Sequence, residues 1–440
     1  MTSYFASHAL IDGNVQRDVR LKAVDGHWAE ITASVTKTAD DIELPGIALP
    51  GMLNAHSHAF HRALRGRTHG DGGTFWTWRT RMYEAASRLD PDRYFALARA
   101  TYAEMVAAGY TSVAEFHYVH HAPGGSSYDD PNAMGKALIA AAREAGIALT
   151  LLDVCYLHGG LDATGYTELD PLQQRFSDGD MDSFLARHDR LVSETGGEAT
   201  IGLAAHSVRA LTPDELRRLA TAAGGGILHV HASEQLAEVE MCQAVHGMSP
   251  IALLAETGML HANASVVHGT HLSETDIRLL AEAGATVAFC PTTERDLADG
   301  IGPARALIDA GAHLAIGSDQ HAIIDPFAEL QALEGHERLT SHNRGNFPPG
   351  QLLQIATNPV PVGYEHAGLC VGAPADVVAI DAHSTRTAGS EPTGIVMTAS
   401  AADVTDVVVA GERIVAADQH RVRDVGAALS AAMEEIWPAH

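Results

Sequence analysis

GIALPGMLNAHSHAFHRALRG, residues 46–66, decides how the chain is read. Its first half is a short apolar run of the kind that forms a buried strand, and it leads into His56 and His58, where the polar residues begin. Side chains alternate across an extended segment with a period of two. Two imidazoles separated by one residue therefore face the same side and can bind one metal ion. With 26 histidines in 440 residues such pairs also arise by chance, so the reading needs support from the rest of the chain.

That support lies downstream. Apolar, strand-like runs recur as YTSVAEFH (110–117), IALTLLDVCYL (147–157), ATIGLAAHS (199–207), GILHVHAS (226–233), ASVVHGTH (264–271), ATVAFCPT (285–292) and HLAIGSDQH (313–321), which with the strand ending at His56 make eight. Between them, PNAMGKALIAAAREAG, TPDELRRLATAAG and SETDIRLLAEAG carry a capping residue, an apolar stripe and a closing glycine, as helices do. Eight strand-helix units predict an α/β chain built on a (β/α)8 TIM-like barrel over residues 48–360, with its site at the C-terminal ends of the strands. Residues 1–47 read as short strands with turns at Asp12-Gly13 and Asp25-Gly26, and the segments 375–383 and 404–418 are β-rich again, turning at Gly411. The two ends, 1–47 and 361–440, are expected to form one small β-sandwich domain.

A formal net charge of -26 excludes nucleic acid and anionic membrane surfaces as partners, since both attract basic patches. Lys22, Lys37 and Lys136 are the only lysines, so arginine supplies almost all positive charge. No basic segment followed by an apolar core opens the chain and no apolar run reaches the length of a membrane span, which predicts a cytoplasmic protein. Cys155, Cys242, Cys290 and Cys370 are far apart with no Cys-x-x-Cys; reduced core residues are expected, with Cys242, in a polar helical segment, the candidate for exposure.

His231 stands at the edge of the fifth strand in LHVHASEQ, with His229 a residue pair deeper, and Asp319 ends the eighth in IGSDQH. Three neutral imidazoles and a carboxylate from strands one, five and eight compose a Zn2+ site with room left for water. Glu234, three residues after His231, is either a proton carrier beside that water or a helix-capping carboxylate. His268 ends the sixth strand in VVHGTHL and either contacts the same water or packs within the barrel.

The strand order and the set His56, His58, His231 and Asp319, with His268 and Glu234, resemble the amidohydrolase superfamily over nearly the whole chain. Within it, LNAHSHAFHRALRG, FWTWRTRMY, VAEFHYVHH, AHSVRAL, CPTTERDLADG and GSDQH resemble the deiminases of histidine degradation, which hydrolyse N-formimidoyl-L-glutamate to N-formyl-L-glutamate and ammonia. The resemblance implies zinc on His56, His58, His231 and Asp319, and catalytic roles for Glu234, His268 and Asp319. It further implies substrate contacts from Arg79, Tyr118, His206 and Arg209, and from His61, which stands where many members have glutamine. Relatives holding two metals bridge them with a lysine at the end of the fourth strand. AAHSVRAL contains none and Lys136 lies in a helical segment, so one zinc per chain is expected.

The implied partner is a small-molecule dicarboxylate, whose two anionic groups suit the bidentate fork of Arg79 and Arg209. In the implied chemistry Asp319, with His268, accepts the proton of the attacking water and Glu234 protonates the departing nitrogen. A homodimer is one expectation for the assembly. Deamination of a purine or pterin ring, opening of a lactam, and a non-catalytic barrel scaffold stay open as alternatives; the filled ligand set speaks against the last.

Overall fold

Gly51 divides what reads in the sequence as one apolar strand. Ile42–Pro50 belongs to one sheet and Met52–Ser57 to another. A Cβ at Gly51 would collide with the side chains of Thr111 and Asp376, so the joint between the sheets leaves no room for a side chain. The single strand expected from the apolar run is thus corrected to two. The structure is a computed structural model in which residues 1–70 and 75–438 are described. The side chains of Phe75 and Trp76, which open the FWTWRTRMY stretch, lie outside the described residues.

The barrel strands are Met52–Ser57, Tyr110–His117, Ala148–Cys155, Thr200–Ser207, Leu228–Ala232, Ala264–His268, Thr286–Phe289 and His313–Ile316, each parallel to its neighbour in chain order. The ring closes where Ser57 bridges to Asp319, and Asp319 donates its backbone N–H to the His56 carbonyl at 3.0 Å. Asn54 fastens the same seam, donating to Ser318 Oγ at 2.6 Å and accepting from the Ser318 N–H at 3.1 Å. Such strands are covered on both faces, which is why they read as continuous apolar runs; all of Tyr110–His117 is buried.

The N-terminal capping signals are realised in two of the three helices, Asn132 making no side-chain cap bond at the start of Ala133–Ala145. Thr212 with Glu215, and Ser273 with Asp276, form capping boxes, while Gly146, Gly224 and Gly284 end their helices in the left-handed region. A short antiparallel hairpin, Gly160–Asp162 with Gly165–Thr167, follows the third barrel strand and has no counterpart in the sequence reading.

The other sheet interleaves the two ends of the chain. Its order is Gln419–His420, Glu412–Ala416, Val404–Val409, Val377–Ile380, Ile42–Pro50, Thr2–Ile11, Asn14–Val24 and His27–Thr32. It curls until its far edge meets the segment before Val377, where Trp28 donates to the Ala373 carbonyl at 2.9 Å and accepts from the Gly372 N–H at 2.8 Å. Tyr4, Val19, Leu21, Trp28, Val377 and Val408 fill the core so enclosed. The last helix, Val425–Ile436, leaves this sheet and lies against the barrel helix Pro91–Ala107, and Trp437 Nε1 donates to the Ala63 carbonyl at 2.9 Å.

All four cysteines are free. Cys155, Cys242 and Cys290 are buried and Cys370 is exposed, so Cys370 rather than Cys242 faces solvent. Among the described residues no helix is long and apolar enough to cross a membrane.

Candidate metal centre and pocket

The first, fifth and eighth barrel strands bring His56, His58, His231 and Asp319 together. His58 Nδ1 donates to the Phe116 carbonyl and His231 Nδ1 to the His206 carbonyl, both at 3.0 Å. In a neutral ring the other nitrogen then carries a lone pair. His56 Nε2 lies 3.1 Å from Nε2 of His58 and 3.0 Å from Nε2 of His231. Asp319 Oδ1 lies 3.5 and 3.4 Å from Nε2 of His56 and His58.

Three imidazole nitrogens and a carboxylate oxygen therefore converge, and only His56 has a ring hydrogen to place between them. Two ligands each bonded about 2.0–2.1 Å from a tetrahedral ion stand roughly 3.3 Å apart, which is the spacing seen here. Burial holds the imidazoles of His56 and His231 well below their ordinary pKa and lowers that of His58 to about 3. Neutral rings are what a metal requires. The residues present fit a metal centre.

The backbone is held in unusual conformations at the strand ends that surround it. Ser233, His268 and Asp319 have φ of 55°, 72° and 39°, a region that side chains other than glycine seldom enter, and such outliers collect at functional sites.

Glu234 is not a helix cap, since Gln235 occupies the N-cap position of Leu236–His246. Its carboxylate points instead to His268 Nε2, 3.7 Å away, and to Arg209 Nη2 at 3.8 Å. His268 Nε2 is also 4.0 Å from Asp319 Oδ2, while its Nδ1 faces Glu294 Oε1 at 3.4 Å. Burial works against charging this ring, but Glu234, Glu294 and Asp319 together outweigh it and raise its pKa to about 10. His229 turns away from the cluster, its Nε2 facing the Pro361 carbonyl at 3.0 Å.

Above the candidate metal ligands a cavity of about 200 Å3 is walled by Arg79, Tyr118, His61, His206 and Arg209, so every expected substrate contact reaches the same space. His61 Nε2 is 3.0 Å from the Tyr118 hydroxyl, and burial keeps its ring well below its ordinary pKa. Arg79 reaches the cavity from the helix Phe75–Ser87 and donates from Nε to the Tyr83 hydroxyl at 2.7 Å. The hairpin also reaches this wall, through Gly160, Leu161 and Thr167.

Besides Glu294, four residues at the site escaped the sequence reading. Glu115, a fully buried carboxyl on the second strand, accepts from Ser57 Oγ and from the Ala59 N–H, and burial raises its pKa to about 8. A lone acid inside the apolar run YTSVAEFH was its visible signal. Tyr83, Tyr156 and Gln173 meet behind Arg79. Tyr83 stands one helical turn after Arg79, and Tyr156 follows the third strand, but nothing local marks Gln173.

The Amidohydrolase family model matches residues 47–414. The chain belongs to the amidohydrolase family. Formimidoylglutamate deiminase of Pseudomonas aeruginosa PAO1 is 36% identical to this amidohydrolase over 441 aligned residues, covering 96% of each protein. A 5-methylthioadenosine/S-adenosylhomocysteine deaminase of Archaeoglobus fulgidus is 26% identical over 338 residues, 76% of this chain and 74% of its own. Among solved structures, an amidohydrolase from Brucella melitensis superimposes with a TM-score of 0.92 at 31% identity, covering 99% of this chain and 100% of that one.

Proposed function

We propose that this amidohydrolase is a zinc-dependent formimidoylglutamate deiminase, converting N-formimidoyl-L-glutamate to N-formyl-L-glutamate and ammonia in the cytoplasmic degradation of histidine. The observation that carries the reading is the juxtaposition of the His56, His58, His231 and Asp319 cluster with a small cavity that receives two guanidinium groups, Arg79 and Arg209. In a chain of net charge -26 two arginines in one cavity suit a flexible dianion. The 36% identical relative that bears this name supports the same substrate.

One Zn2+ would be held by His56, His58, His231 and Asp319. When bound, it supplies Lewis acidity and lowers the pKa of a water from 15.7 to about 7. The one-metal stoichiometry is supported by Lys136, which lies on the helix Ala133–Ala145 and pairs with Asp130 and Glu194.

The remaining chemistry falls to the chain's own groups. Asp319, backed by His268, accepts the proton of the water that adds to the formimidoyl carbon. Glu234 passes a proton to the imino nitrogen, which leaves as ammonia when the tetrahedral adduct collapses to the formyl group. His61, Tyr118 and His206 contact the head of the substrate, and Arg79 and Arg209 hold its carboxylates. The test is ammonia and formylglutamate release from formimidoylglutamate by the zinc-loaded protein. Release from adenosine or S-adenosylhomocysteine instead would replace this reading with a purine deaminase.

A further inference from the structure

The wall behind Arg79 carries a hydrogen-bond arrangement whose polarity is set by one side chain. Gln173 is only 2% exposed, and its Oε1 accepts the Asp170 backbone N–H at 2.9 Å, which fixes the opposite atom as the NH2 group. That Nε2 stands 3.1 Å from the Tyr83 oxygen, 2.9 Å from the Tyr156 oxygen and 2.9 Å from the Gly159 carbonyl. The same two phenol oxygens are bound by Arg79, from Nε at 2.7 Å for Tyr83 and through a further hydrogen bond for Tyr156.

Neither an amide NH2 nor a guanidinium can accept a hydrogen. Neither phenol can therefore give its hydrogen to Gln173 or Arg79, and that hydrogen must go elsewhere. The Nε2 group has two hydrogens for three acceptors and the Gly159 carbonyl can only accept, so one phenol at most can take the hydrogen of the other and at least one hydroxyl hydrogen is left for the cavity. Both side chains line the cavity, and burial keeps the Tyr83 phenol protonated by raising its pKa well above the ordinary value.

We propose that Tyr83 and Tyr156 donate their hydroxyl hydrogens to a substrate carboxylate held by Arg79, and that Gln173 is the positioning residue that fixes this donor polarity. The identity of the carboxylate rests on the formimidoylglutamate reading above. A carboxylate has acceptor sites for several donors at once, and a guanidinium flanked by two neutral O–H groups binds it without adding a second charge to the wall.

Gln173→Glu tests the polarity with almost no change of shape. A carboxylate oxygen at the Nε2 position accepts, so the phenols turn their hydrogens toward it and the cavity loses its donors. On the zinc-loaded enzyme KM for formimidoylglutamate should rise about 10- to 100-fold, the range of one or two lost charge-assisted hydrogen bonds. The value of kcat should move less than threefold, as for an interaction made equally in ground and transition states. In a Tyr83→Phe/Tyr156→Phe background, Gln173→Glu should add nothing further, because the groups it controls are gone. The loss should also vanish for one of the two single-carboxylate analogues, N-formimidoyl-4-aminobutyrate or N-formimidoyl-2-aminobutyrate.

An unchanged KM in Gln173→Glu, or losses that add in the triple variant, would overturn the proposal. A wild-type enzyme that releases no ammonia from formimidoylglutamate would overturn the substrate reading alone. The clamp is then tested by calorimetry with glutarate, where Gln173→Glu should bind at least tenfold more weakly and equal affinity would overturn it.

Discussion

Ser57 donates its hydroxyl hydrogen to Glu115 across 2.6 Å, and the other oxygen of that carboxyl accepts the Ala59 N–H at the same distance. The two bonds bracket His58, so an acid on the second strand holds the segment that carries two candidate metal ligands on the first. Partners of this kind typically tune metal affinity by 10- to 100-fold. Glu115→Leu should weaken zinc binding by about that factor in competition with a chelator, and Glu115→Gln, which keeps one acceptor, by less. A leucine variant that binds zinc as tightly as wild type would reduce Glu115 to packing.

Glu234 faces both His268 and Arg209 and caps no helix. Glu234→Gln keeps the shape and should keep the zinc, yet it cannot shuttle a proton. Turnover should fall by about 100-fold or more. Wild-type turnover with full metal content would remove Glu234 from the mechanism.

The two arginines should separate in their kinetics. Leaving a substrate carboxylate without its donors costs about 2–5 kcal/mol, or some tens to thousands in kcat/KM. Arg79→Met should act mainly on KM. Arg209→Met, which also removes a cation beside Glu234, should lower kcat as well. Lysine should restore neither site well, because a point charge cannot reproduce a planar fork. Near wild-type efficiency in both methionine variants would leave the dicarboxylate assignment resting on similarity alone.

A pH signature is expected away from the site. Arg187 is buried between Asp153, 2.9 Å from Nη1, and Asp178, 2.8 Å from Nε, with His121 and His188 on the same carboxylates and His120 beside Asp153. Burial would raise both carboxyls, but Arg187 and the imidazoles more than reverse it and hold them below the ordinary range. Their contribution to stability is thus complete above the unfolded carboxyl pKa of about 3.9 and is lost as the pH falls below it. Without Arg187 the sign inverts. Arg187→Met should cost about 3–5 kcal/mol at pH 7. It should regain stability between pH 7 and 5, as the buried carboxyls, deprived of their cation, take up protons. Urea midpoints at the two pH values read this directly, and a variant as stable at pH 7 as at pH 5 would contradict it.

The order of the eight barrel strands was legible because a strand covered on both faces must be apolar along its whole length. The convergence of His56, His58, His231 and Asp319 was legible for a related reason: the C-terminal end of such a strand is where its polar residues begin. Contacts made between elements were not. Gln173 lies in a loop, and its meeting with Tyr83 and Tyr156 depends on how a helix, a strand end and that loop fall together, which no periodicity reports. Gly51 was missed because an unbroken apolar run has the same composition whether it feeds one sheet or two. Cys242 misled because a polar helical sequence still has an inward stripe.

The interleaved sheet sets an order of events during synthesis. Ile42–Pro50 takes Thr2–Ile11 on one side as soon as both have left the ribosome, but its other neighbour, Val377–Ile380, follows more than three hundred residues later. At 5–20 residues per second that gap lasts on the order of 15–65 s. Throughout it the nascent chain displays an open strand edge next to a half-built core around Tyr4 and Trp28, while the barrel is assembled from the intervening segment. The edge is then capped by the arriving strand, so the interval before residue 377 emerges is when this chain most needs a chaperone.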